Sequence, residues 1–223
     1  MKKQTPQSFL NLQLIIKAER LFFVRKGERT KHMIIEKAAS LFNQRGYVAS
    51  SMVDVMNETG LERGGLYNHF RSKDELAIQA FNHAVETMRA KFRDALTGKK
   101  PIANRLLAFL DVFSQLYEDT PIPGGCPIMN VAIETDTAHP LLKEQAKQAM
   151  AELHQFIERV VLKAIERGEV SSRIKADEVA TLFLSSMEGA LMLSRLHEDK
   201  KYLSQTVAFL QDYIQKQLTV TTA

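Results

Sequence analysis

The chain has no tryptophan, one cysteine and only six prolines in 223 residues. A single cysteine excludes an intrachain disulfide and a thiolate-rich zinc centre. The six histidines, His32, His69, His83, His139, His154 and His197, are dispersed, with no His-x-x-x-His pair and no acidic cluster at ligand spacing, so neither metal nor cofactor is expected. A secretory signal is lacking, and no apolar run approaches the ~18 residues of a membrane span. The expected location is the cytoplasm, without a membrane partner.

What the chain has is a basic front. Residues 1–73 carry 13 Lys and Arg against 6 Asp and Glu, whereas 74–223 carry 17 against 20. A basic module joined to a mildly acidic body implies that only the first part meets nucleic acid.

Inside that front lies Ser50-Ser-Met-Val-Asp-Val-Met-Asn-Glu-Thr-Gly60-Leu-Glu-Arg-Gly-Gly-Leu-Tyr-Asn-His-Phe70. A Ser51 hydroxyl three residues before Asp54 predicts a capped helix start. Met52, Val55 and Met56 then form its inward stripe. Gly60 predicts the stop, since a left-handed residue with a side chain costs about 1 kcal/mol or more. Leu61 is expected as a buried pin, with Leu66 and Phe70 as the apolar face of a second short helix. Arg63, Gly64, Gly65, Asn68 and His69 are left outward, as in a helix-turn-helix that enters a major groove. Each glycine gives up about 1 kcal/mol of helix propensity, which close approach to DNA explains and a frayed helix start explains less well.

Gly46-Tyr47, Ser50-Ser51-Met52, Asp54-Val55, Gly60-Leu61, Gly64, Leu66-Tyr67, His69-Phe70, Lys73 and Leu76 together resemble the DNA-binding domain of the TetR family of bacterial one-component transcriptional regulators. The resemblance departs at Met56, where the family usually has alanine, and at Glu62, where it usually has serine. It implies a dimer that binds a short palindromic operator on double-stranded DNA and usually represses. The implied DNA contacts are Ser50, Ser51, Arg63, Gly64, Gly65, Tyr67, Asn68, His69 and Lys73. Arg63 and Gly65 would meet base edges and the others would mainly position phosphates; for His69 a capping or packing role stays open.

The expected fold is all-α, with an N-terminal three-helix DNA-binding domain at 29–75 and a larger helical ligand-binding and dimerisation domain at 76–223. Residues 1–28 form an extension. Its apolar stretch 8–24 reads as an extra amphipathic helix, as a flexible basic arm, or as sequence ahead of a true start near Val24. The first helix of the domain is expected from 28 or 29 to 45 on Ile34, Ala38, Leu41 and Phe42, and Gly46 closes it. A long helix from about 74 to 96, striped by Leu76, Ile78, Phe81, Val85, Met88 and Phe92, would link the DNA-facing module to the body. Beyond a break at 97–101, helices are predicted at 102–117, 127–136, 140–167, 176–197 and 200–218, with a loop over 121–125. On 140–167, Leu141, Leu142, Ala146, Met150, Leu153, Ile157 and Val160 are expected to share a face.

The last two helices mix large and small residues, Val179, Phe183, Ser186, Met187, Ala190, Leu191 and Ser194 on one and Leu203, Val207, Leu210 and Ile214 on the other. These faces are expected to build a four-helix homodimer contact. Gly125-Cys-Pro-Ile-Met-Asn-Val-Ala-Ile-Glu134 and Met187-Glu-Gly-Ala-Leu-Met-Leu-Ser-Arg195 are similar to segments of one group within the same family.

An effector cavity in the body is expected to draw on Phe81, Met88, Phe109, Phe113, Tyr117, Met129, Phe156, Phe183 and Met187, although any helical core contains such residues. Cys126, at a predicted helix start, reads either as an electrophile or redox sensor or as a small residue closing the loop. A Cys126-His hydrolase lacks a third group and leaves the basic module unexplained. A protein-binding adaptor is the other competitor, separated by salt-sensitive, sequence-specific DNA binding. The expected function is a ligand-released repressor and not an enzyme.

Overall fold

Ser51 caps the longer of the two short helices that follow the first one, as its sequence requires. Its Oγ accepts the Asp54 N–H at 3.2 Å, while Asp54 Oδ2 accepts the Ser51 N–H at 2.7 Å, closing a capping box. The Ser51 bonds hold the Asp54 carboxyl below the usual carboxylate range. Such local signals recur along the chain. Residues 7–96, 102–135 and 139–218 are described by the computed structural model. The expected break at 97–101 lies outside the described residues, as do the side chains of 8–24.

The described residues are all helical in their regular parts: α1 Gln7–Arg45, α2 Met52–Thr59, α3 Arg63–Tyr67, α4 Lys73–Leu96, α5 Ile102–Gln115, α6 Pro127–Glu134, α7 Pro140–Glu166, α8 Ala176–Leu196 and α9 Lys201–Tyr213. A π-helical turn, Ile214–Leu218, follows α9. The all-α architecture of a small helical front and a larger helical body is therefore as expected. The start of α1 is not. The domain's first helix was expected from 28 or 29, yet α1 is unbroken from Gln7. No proline interrupts it, and Gly27 costs a helix interior only about 1 kcal/mol, too little to end it. Residues 7–24 are thus helical and continuous with the helix that was expected to start at 28 or 29.

In the front, Ile34, Ala38, Val55, Leu66, Phe70 and Leu76 close a core with almost no exposed surface. Leu61 is only half-buried, packing on the rim of that core instead of pinning its centre. Gly60 ends α2 with φ 71°, and its N–H donates to the Met56 carbonyl at 2.8 Å. Helix α4 lies along α1, where Ala77, Ala80 and Ala84 are all buried and let the two backbones come close. Its far half carries Val85 and Met88 into the body.

The body packs α7 against α8 and α8 against α9. Leu142 and Ile157 of α7, Phe183, Met187 and Leu191 of α8, and Leu203 and Leu210 of α9 are sealed inside. Leu141 is not on the buried face of α7 as expected; one residue before Leu142, it is rotated outward and exposed. The faces expected to meet a second subunit are likewise turned inward, because Val179, Phe183, Met187, Ala190, Leu191 and Ser194 fill the protomer's own core. What α8 and α9 leave outward is a different set, Leu182, Met192, Leu193 and Leu196 with Phe209. One described helix, α8, is long and apolar enough to cross a membrane, but half of its apolar stretch is buried among the other helices.

Candidate nucleic-acid interface and internal cavity

Glu62 stands at the N-cap of helix α3, and its side chain makes no capping bond. Leu66 and Phe70 hold the helix down, and Arg63, Gly64, Tyr67 and Asn68 stand exposed on its other side, with Gly65 and His69 half-buried. The Arg63 guanidinium lies over the Tyr67 ring, 5.5 Å from its centroid. Neither glycine of α3 has a positive φ, and a Cβ on Gly64 would meet nothing within 4 Å. On Gly65 it would make an ordinary contact with Leu61 at 3.8 Å. The fold itself therefore gives no reason for glycine at either position.

Three of the expected contact residues have work inside the chain. Ser50 does not face outward: it is 3% exposed, and its hydroxyl donates to the Gly46 carbonyl at 2.7 Å, tying the turn after α1. Ser51 is exposed, with its hydroxyl engaged in the α2 cap. Lys73 is half-buried, its Nζ 4.2 Å from the centre of the Tyr47 ring and 3.5 Å from the Val48 carbonyl.

Behind this face the body grips the front through α6. Glu134 accepts two backbone N–H groups, from Tyr47 through Oε2 and from Val48 through Oε1, both at 2.7 Å. Gly46 sits at φ 89°, where a side chain is strained, and a Cβ there would fall 2.6 Å from Glu134 Oε1 and displace the carboxylate. One turn earlier on α6, the Asn130 amide donates to the Asn43 side-chain oxygen at 2.9 Å and to the Gly124 carbonyl at 3.0 Å. Asn43 in turn donates to the carbonyls of Pro123 and Gly125. A third link joins the Tyr47 hydroxyl to Asp74 at the start of α4, with His139 Nε2 3.4 Å from the same carboxylate oxygen. Burial and the bond to Asp74 raise the Tyr47 hydroxyl well above the ordinary tyrosine range, and that bond holds Asp74 below its own. His139 also caps α7, its Nδ1 accepting the Leu142 N–H at 3.0 Å. No sequence pattern singled out His139. The Pro140 after it was the one available sign, as a residue preceding a helix that starts with proline.

At the other end of α6 lies a cavity of about 630 Å³. Helices α4 to α8 all contribute to its wall. Of the nine residues expected there, Met88, Phe109, Phe113 and Phe156 line it. Phe81 borders a separate small gap between α1, α4 and α6, and Tyr117 and Met129 pack half-buried against the core. Phe183 and Met187 are sealed in the core. Apolar bulk marks core and cavity alike, and these five lie outside the wall of this cavity. The wall residue of α8 is instead Glu188, one position past Met187 and rotated by about 100°.

Cys126 also lines the cavity, 5% exposed. Burial pushes its thiol well above the usual range, the Glu188 carboxylate adds to this, and the amides of Ile128 and Met129 offset only part. The thiolate required of a sensor is disfavoured here, because desolvation outweighs the helix-start amides. None of the six histidines lines the cavity, so no imidazole stands beside Cys126 there.

Two family descriptions match the chain. Residues 34–80 match the bacterial regulatory proteins of the tetR family, and residues 103–210 match the tetracyclin repressor-like C-terminal domain. Among curated relatives, the HTH-type transcriptional regulator LmrA of Bacillus subtilis (strain 168) is 28% identical over 188 residues, 84% of this chain and 97% of that protein. The HTH-type transcriptional repressor DhaR of Mycobacterium sp. (strain GP1) is 24% identical over 182 residues, covering 79% and 88%. A crystal structure of a TetR transcriptional regulator from Chloroflexus aurantiacus J-10-FL superposes with TM-score 0.85 at 41% identity, covering 88% of this chain and all of that one. A Cytophaga hutchinsonii regulator of the same family follows at TM-score 0.80 and 27% identity, covering 88% and 98%.

Proposed function

This chain belongs to the TetR family of bacterial regulatory proteins, and from that premise we propose a ligand-released repressor that binds a palindromic operator as a homodimer. Residues 29–75 act as the reading unit and 76–223 as the effector-binding and dimerising body, in the cytoplasm. Arg63 and Gly65 meet base edges; Gly64 lets the backbone come close; Tyr67, Asn68, His69 and Lys73 position phosphates.

The observation that carries the reading is the placement of α6. Its first residues, Pro127 and Ile128, are cavity wall, and its last, Glu134, holds the turn that leads into α2. At 1.5 Å per residue the helix is about 12 Å long, a short rigid strut between the two sites. A ligand that displaces Pro127 and Ile128 moves Glu134, and through Tyr47 and Val48 it moves the reading helices. Helix α4 supplies a parallel link, since Asp74 touches Tyr47 and Met88 lines the cavity. A few kcal/mol of differential binding changes operator occupancy by orders of magnitude. The segment Gly125-Cys-Pro…Asn130-x-Ala-x-Glu134 then marks a group of the family in which body and front are clamped in this way.

The homodimer forms through the outward residues of α8 and α9. Leu182, Met192, Leu193 and Leu196 recur at helical spacing along α8, and Phe209 is exposed on α9, which packs on α8. Two-fold symmetry places paired α3 helices in major grooves about 34–36 Å apart. Genomic footprinting with the purified protein tests the whole reading: protected sites that are approximate palindromes with half-sites one helical turn apart are expected. Equal protection of random and genomic duplexes at physiological salt, or a monomer in solution, overturns it.

A further inference from the structure

The effector cavity holds an unpartnered carboxyl group that nothing in the fold requires. Glu188 is 7% exposed, and no nitrogen or oxygen donor reaches either of its oxygens. The Cys126 thiol beside it is only a weak donor. Leaving a buried carboxyl without donors is unfavourable, and a leucine or glutamine of similar size would avoid it. The same cavity is lined by an aromatic group, Phe92 stacked on Phe109 with centroids 4.8 Å apart, and Phe113 beside them. The charged residues on the wall are Arg89, Arg93, Arg159 and Glu152. Arg89 is paired with Glu152, and Arg93 lies 3.3 Å from Glu86. Arg159 is exposed, where water screens it.

Resting on the cavity as the effector site, we infer that the effector class is a lipophilic amine, with an aromatic body against Phe92, Phe109 and Phe113 and a cationic nitrogen hydrogen-bonded to Glu188. A protonated nitrogen supplies the donors that Glu188 lacks, and the apolar wall takes the rest of the molecule. No bond is made or broken, and binding draws Glu188 into its ionised form.

The full-length protein is titrated by calorimetry at pH ~8, above the range in which an unliganded Glu188 takes up its proton. Three flat tricyclic probes are used: cationic 9-aminoacridine, neutral acridine and anionic 9-anthracenecarboxylate. The cation is expected to bind the wild type about 10-fold or more tighter than acridine. In Glu188→Gln, which keeps the side-chain shape, that preference is expected to vanish while acridine still binds. Equal affinities for cation and neutral probe overturn the inference, as do tighter binding of the anion, a preference that survives Glu188→Gln, or no binding of any probe. Operator binding is measured on the same preparation without probe, so a failure of the regulator reading shows there and not in the calorimetry.

Discussion

Glu134 Oε2 accepts the backbone N–H of Tyr47 at 2.7 Å, across 87 residues of sequence, and its other oxygen takes the N–H of Val48. A carboxylate of the body thereby closes the turn between the first helix and the DNA-reading pair. The turn that leads into α2 is thus held by a residue that lies outside the front of the molecule.

Replacing Glu134 with alanine leaves two amides without an acceptor. Hydrogen bonds to a charged group contribute about 1.5–3 kcal/mol each and are not additive, so a loss of roughly 2–4 kcal/mol is expected in urea unfolding. Effector-driven release of operator DNA should weaken as well, since the strut no longer grips the turn. A variant as stable as the wild type and equally responsive would remove Glu134 from the coupling path.

Gly64→Ala separates folding from DNA contact. With no positive φ and no neighbour within 4 Å, alanine should leave stability unchanged or raise it by up to about 1 kcal/mol. Operator affinity should nevertheless fall about 10-fold or more if the backbone approaches the groove. Unaltered affinity in a mobility-shift assay would mean that α3 does not come that close.

Arg63→Ala should cost about 1–3 kcal/mol of operator binding and change the preferred sequence, whereas Lys73→Ala should weaken all sites and flatten the salt dependence. Binding-site selection from a random pool, repeated at several salt concentrations, distinguishes the two. An Arg63 variant that selects the same sites reads no base.

The outward apolar residues of α8 and α9 are tested by Leu196→Lys and Phe209→Lys. Both positions are largely exposed, 72% and 67%, so the protomer should stay folded. Sedimentation velocity should show a monomer, and operator binding should be lost with the dimer. A dimer that persists in the double variant would place the contact elsewhere.

Glu188 predicts a pH dependence of stability. Burial raises its carboxyl from 4.5 to about 7, so between those values the folded chain binds more protons than the unfolded chain. The contribution is fully present below about 4.5 and is lost as pH rises through about 7. At ~1.4 kcal/mol per unit it amounts to about 3 kcal/mol. The other cavity groups do not cancel it: the Cys126 thiol is pushed up and stays protonated, and Arg89 and Glu152 pair with each other. Glu188→Gln should flatten this part of the stability profile in denaturant melts, and a profile of unchanged slope would show that Glu188 titrates elsewhere.

Much of the architecture was legible in the chain because its signals are local. Ser51 and Asp54 lie three residues apart, Gly60 meets a left-handed turn, and the apolar repeats of α4, α7, α8 and α9 run at helical period, so caps, stops and buried stripes follow from near neighbours. The outward face of α3 was legible for the same reason. Period alone does not say which partner a face will meet. Tertiary packing turned the mixed face of α8 into the protomer's core, put Glu188 and not Met187 on the cavity wall, and drew Ser50 into the turn after α1. It also joined Glu134 to Tyr47 and Asn130 to Asn43, each pair 87 residues apart. Contacts at that separation depend on how whole helices settle against one another, which neither helix propensity nor residue spacing encodes.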